Sequence, residues 1–278
     1  REKYPEKLDE IRNELDPIFE VALEREQAGA VRPQIYRAVG VLGGDSFSMR
    51  LLTQVSLQHF SINDRQEALD AVILLAQRFD KVDELLDQYL ATILSSEDAA
   101  IRYKAARSVR TLEHPKGTLL LLARLNDEPD ESIQRELLKS TRGARAPGAV
   151  ELLLSFSPPA FWGEYRDALQ VQVGSDVGIA IQAVKGMADR QDLEMAWRLV
   201  KGFPVPPDAT PEVLAPFLPW QARVQVEWVL TQVPLRKVQD PEVVDALQRL
   251  QAMRTAEPSN PLWPDTEGRL RVFLGQHA

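Results

Sequence analysis

Apolar residues along this chain recur at helical spacing, and over three consecutive stretches they recur in the same columns. The stretches are LDAVILLAQRFDKVDELLDQYLATI (69–93), IRYKAARSVRTLEHPKGTLLLLARL (101–125) and IQRELLKSTRGARAPGAVELLLSFS (133–157), and they superimpose without a gap at a period of 32 residues. Leu69, Ile101 and Ile133 share one column, Ile73, Ala105 and Leu137 a second, and Leu90, Leu122 and Leu154 a third. Pro115 aligns with Pro147 in the joint between the two halves of each stretch. Sustained apolar–polar alternation of the strand kind is missing. A fixed period in this range predicts stacked two-helix units, each too small to bury its own apolar face.

Outside these stretches the pattern loosens. An opening helix is predicted from about Glu6 to Gln27, bent where Pro17 interrupts it. Residues 32–57 read as a degenerate first repeat, with a small-residue helix, a turn at Gly43-Gly44-Asp45 and a second apolar helix. Gly40, Gly43 and Gly44 together read as a helix stop and turn. The register breaks between 157 and 173, where Pro158-Pro159 must stop a helix, and resumes over 177–203. Beyond Pro204 prolines punctuate the chain, and helices are expected over about 220–233 and 241–255, followed by a last amphipathic piece after Pro264. The expected organisation is an N-terminal capping helix (1–30), repeats over 31–203 with an insert near 157–173, and a divergent helical cap over 204–278.

The repeat unit has a recognisable form. Asp98, Ile101-Arg102, Ala105-Ala106, Val109 and Leu112 make up its first helix, and Pro115, Leu119-Leu120, Leu125 and Asp127 its second. This resembles the HEAT class, and within it the short HEAT-like repeats first associated with bilin lyases, with His114 where that pattern usually has Asp. The resemblance is good over 66–157, fair over 31–60 and 177–203, and poor beyond 204. It implies an all-α, right-handed α-solenoid of two-helix repeats with an irregular C-terminal cap. For function it implies only a range, since such repeats serve binding, assembly and occasionally catalysis.

Composition narrows that range. The chain has 278 residues, is 44% hydrophobic and carries a formal net charge of −8. Its longest apolar runs are far too short to span a bilayer, so no membrane insertion is expected. The acidic balance counts against nucleic acid as the main partner, because neutralising phosphates needs clustered Lys and Arg. The absence of cysteine excludes disulfides, thiolate metal sites and cysteine nucleophiles. A cytoplasmic location is the default expectation, with an exported form as the second reading because numbering begins at Arg1.

Within this acidic chain the register lines up cations. On the helix 99–112, Ile101, Ala105, Val109 and Leu112 form the core stripe, while Tyr103, Arg107 and Arg110 lie opposite, with His114 just beyond the end. One period later stand Arg135, Lys139 and Arg142, and one period earlier Ala71, Leu75 and Arg78. By the resemblance this face lines the concave surface, where it would form a basic band. The plainer reading is that Arg78, Arg110 and Arg142 sit in last turns and answer the helix dipole, or that neighbouring carboxylates neutralise the whole band. Arg107, Arg135 and Lys139 are expected a turn or more inside their helices, so they carry the functional case. Trp162, in the register-breaking insert, is a further candidate contact, whereas Trp197 and Trp228 at helical spacing read as core fillers.

Catalytic patterns are missing. His59, His114 and His277 are far apart, with no zinc spacing, and no glycine-rich phosphate loop or nucleophile elbow occurs. No cofactor or metal is therefore assigned. The expectation is a non-catalytic scaffold or adaptor that binds another protein bearing an acidic surface through Tyr103, Arg107, Arg110, Arg135, Lys139, Arg142 and Trp162. Two alternatives rest on the fold class: a nucleic-acid-binding or base-excising protein using the same band, and a bilin-lyase-like chaperone.

Overall fold

Helix starts in this chain are set by short polar side chains. Asp98 Oδ1 accepts from the backbone N–H of Ala100 and Ile101 at 2.9 and 3.4 Å, and 32 residues on Asp130 Oδ1 accepts from Ser132 and Ile133 at 2.8 and 3.2 Å. Ser61, Asp176 and Asp192 cap further helices in the same way. Hydrogen bonds from the Ser132 hydroxyl, then from the backbone N–H of Ile133 and Ser132, hold Asp130 below the usual carboxylate pKa.

In the computed structural model the described residues are 5–26, 28–44, 46–58, 61–156, 161–207, 209–231, 241–256 and 258–259. Among them the protein is all-helical. The helices are α1 (Pro5–Arg25), α2 (Arg32–Leu42), α3 (Ser46–Gln58), α4 (Ile62–Arg78), α5 (82–94), α6 (Ala99–Leu112), α7 (Pro115–Leu125) and α8 (Glu131–Ser140). Then follow α9 (Ala149–Ser155), α10 (Trp162–Val173), α11 (Val177–Asp189), α12 (Leu193–Lys201), α13 (Pro211–Leu214), α14 (Phe217–Thr231) and α15 (Pro241–Ala256). Helix α5 contains a π turn at Leu86–Leu90. The chain divides into two compact units, Arg1–Ala149 and Val150–Ala278.

In the first unit the opening helices of successive repeats pack on one another in chain order, α2 on α4, α4 on α6 and α6 on α8. The shared columns make up the core. Leu69, Ile101 and Ile133 are buried, as are Ile73, Ala105 and Leu137, and Leu90 and Leu122. Leu154 is only half-buried; it packs beneath Gly186, where an added Cβ would come within 2.7 Å of it. The core stripe of α6 is as expected, with Ile101, Ala105, Val109 and Leu112 all buried.

Several expectations change. Gly40 does not stop α2 but lies inside it, where a Cβ would sit 2.9 Å from the Cα of Ala71, so its missing side chain lets α2 and α4 approach. Gly43 is the C-cap. Helix α4 starts at Ile62, earlier than the period predicts, because Ser61 caps it there. The supposed surface positions Ala71 and Leu75 are then buried in contacts with α2 and α3. Pro158, Pro159 and the segment after Pro264 lie outside the described residues.

The second unit contains α10 to α15 and all but the first residue of α9. Its helices α11 and α12 pack together, and both contact α14, which also packs on α15. Ala222, Val226, Val229, Val243, Ala246 and Leu250 form a buried cluster there, with Trp228 packed against it. Trp197 and Trp228 stack at 5.6 Å, in keeping with their reading as fillers.

Candidate functional site

The face that carries the basic band is built on α4, α6 and α8. Tyr103 is exposed on α6, and Arg107 and Arg110 are exposed one and two turns further on. On α8 Arg135 is half-buried and Lys139 exposed; Arg142 is exposed past the helix end. Trp162 opens α10 in the other unit, and its side chain lies outside the described residues.

Helix α8 ends at Ser140, earlier than the register suggests, because the chain turns off to pass Gly143 against α6. A Cβ on Gly143 would stand 2.7 Å from the carbonyl oxygen of Arg110. Two consequences follow. Arg142 is not in a last turn, and Lys139 is. Dipole stabilisation therefore accounts for Lys139 as well as for Arg110, and the cations it leaves unexplained are Arg107, Arg135 and Arg142.

Arg78 turns away from the face. Its guanidinium donates to the C-terminal carbonyls of α2, to Val41 at 2.6 Å, to Gly43 at 3.5 Å and to Gly40. It is a clamp between successive repeats, satisfying carbonyls that the end of α2 leaves without intrahelical partners.

Carboxylates on neighbouring helices meet several cations of these helices. Arg37 on α2 makes a two-pronged pair with Glu67 on α4, both bonds 2.8 Å, which holds the Arg37 pKa above its ordinary value. Lys104 on α6 reaches Asp70 on α4 at 2.5 Å, and Arg107 lies 3.8 Å from Glu136 on α8. These partners are 29 to 34 residues apart, so opposite charges spaced near one period are the signal that would have found them. The face is a mixed ladder and not a continuous basic strip. Arg110 makes no ion pair among the described residues.

Between α4 and α6 the face opens into a groove of about 430 Å³. Lys104, Arg107, Ser108 and Thr111 line one wall, with Asp70, Ile73, Leu74 and Gln77 on the other. Leu74 is 47% exposed there, a large aliphatic side chain left in water beside two cations. The Gln77 side chain donates to the Thr111 carbonyl at 3.1 Å and fixes one end of the groove. Such a groove can receive an apolar side chain and a carboxylate together. Among the described residues no cluster of metal-ligating side chains forms.

Among the described residues the protein is all-α, and no described helix is long and apolar enough to cross a membrane. Set against family models, characterised proteins and solved structures, the chain finds no match.

Proposed function

We propose that this chain is a non-catalytic HEAT-type scaffold, a right-handed α-solenoid over its repeats with an irregular C-terminal cap, that binds another protein through the α4–α6–α8 face. The observation that carries the reading is the α4–α6 groove, where exposed Leu74 lies beside Lys104 and Arg107. An exposed apolar residue rimmed by charge is what a short acidic, leucine-bearing segment would cover. Tyr103, Arg110, Arg135, Lys139 and Arg142 extend that contact along α6 and α8.

A synthetic helical peptide of alternating Glu and Leu turns serves as the probe, with binding read by fluorescence anisotropy. Charge reversal at Arg107 and Lys139 together should weaken it by about tenfold or more while lowering the melting temperature by only a few degrees, the cost of the Arg107–Glu136 attraction and of the dipole contact at Lys139. Retention of full peptide binding in the double variant would reduce the band to a structural ladder.

A further inference from the structure

The second unit contains a cleft of about 450 Å³, within the size range of small-molecule sites. Its apolar walls include Trp197, Phe203, Val205, Phe217 and Leu218. The aromatic walls are fixed before any ligand arrives: Trp197 stacks on Trp228 at 5.6 Å, and Phe203 packs on Phe217 at 4.8 Å. Val205 and Leu218 are 57% and 38% exposed, so apolar surface is left open to water at the mouth.

One side of the cleft is polar and ordered. Arg249 on α15 donates to Asp245 Oδ2 at 3.4 Å, and the same oxygen accepts from Gln225 Nε2 at 2.6 Å. Gln225 is 1% exposed, so a buried amide holds the carboxylate that in turn aims the guanidinium. Arginine carries five N–H donors in a rigid fork, and the bond to Asp245 engages one of them. Lys201 also lines the cleft.

We propose that this cleft binds a small amphipathic carboxylate, its apolar body against Trp197, Phe203 and Phe217 and its carboxylate on the Arg249 fork. The inference does not depend on the scaffold reading, since it concerns other residues in the other unit. A planar carboxylate matches the guanidinium fork with two parallel hydrogen bonds. A neutral or cationic amphiphile of equal length gains the apolar contact alone.

Dodecanoate, dodecanol and dodecyltrimethylammonium are titrated into the full chain below their aggregation thresholds, with calorimetry and tryptophan fluorescence as readouts. Dodecanoate should bind saturably and about tenfold more tightly than dodecanol, and the ammonium probe more weakly than either. R249M should abolish the preference for dodecanoate over dodecanol, and L218R should weaken both. The ratio between probes is unaffected by a partial loss of folded protein. No saturable dodecanoate binding, equal affinity for the three probes, or an R249M variant that keeps the preference would each overturn the proposal.

Discussion

At Tyr165 a single side chain couples packing to pH. Its ring is buried beside Phe156, centroids 6.4 Å apart, and its hydroxyl donates to the Leu153 carbonyl at 3.0 Å. Burial, with the neighbouring Arg190 opposing and Asp192 adding, pushes its pKa up to about 12 from an ordinary 10.0. The folded state therefore keeps the phenol neutral where the unfolded chain ionises. Stability contributed by this group is fully present below pH 10 and is lost as pH rises toward 12, a change of about 2–3 kcal/mol. Tyr165→Phe should lose about 1 kcal/mol at pH 8, from the missing hydrogen bond, yet show a shallower fall in urea midpoint between pH 10 and 11 than the parent protein. Identical slopes for the two proteins would rule out Tyr165 as a source of alkaline lability.

Between elements, one side chain recurs in the same role. Arg102, the fourth residue of α6, donates to the Ser96 carbonyl six residues before it at 2.8 Å, and Gln134, one period on, donates to the Glu128 carbonyl at 2.6 Å. Each ties the start of its helix to the chain that enters it. Arg102 also forms a two-pronged pair with Glu128, both bonds 2.9 Å, with Glu128 fully buried, and the Glu128 hydrogen bond holds the arginine pKa above its ordinary value. Glu128→Ala strands a buried guanidinium and should cost about 3–5 kcal/mol, whereas the double change R102M/E128M should recover part of that loss, because the guanidinium is no longer stranded while Arg124 and the Asp130 N–H still lose Glu128. Denaturant midpoints of the three proteins decide this; a double variant as unstable as the single one would contradict it.

The same elements show what was legible in the sequence. The columns Leu69/Ile101/Ile133 and Ile73/Ala105/Leu137 are buried as read, since helical periodicity fixes locally which side chains share a face. Asp98 as the first position of its repeat motif was also readable, and it is the cap. What local pattern does not contain is the early end of α8 at the Gly143–Arg110 approach and the turn of Arg78 onto the end of α2, both of which depend on a neighbouring helix. The arginine columns were therefore legible as rows of charge, and their neutralisation by carboxylates as one reading of them, while the particular pairs were not.

For the molecule as a whole, that ladder decides how an acidic protein with rows of arginine behaves toward polyanions. Non-specific binding to duplex DNA comes from cations that replace condensed counterions on phosphates. Here Lys104 and Arg107 already face Asp70 and Glu136, so moving them to phosphate exchanges one anion for another, and the net charge of −8 adds repulsion at a distance. The expected outcome is no measurable affinity for a duplex of about 20 base pairs even near 50 mM salt, read by fluorescence anisotropy. Neutralising the acidic rungs with D70N and E136Q should unmask weak binding that disappears again as salt rises, which would place the suppression in the ladder and not in net charge alone. A parent protein that binds the duplex at micromolar concentration, with affinity falling steeply in salt, would transfer the α6–α8 face from an acidic protein segment to a phosphate backbone.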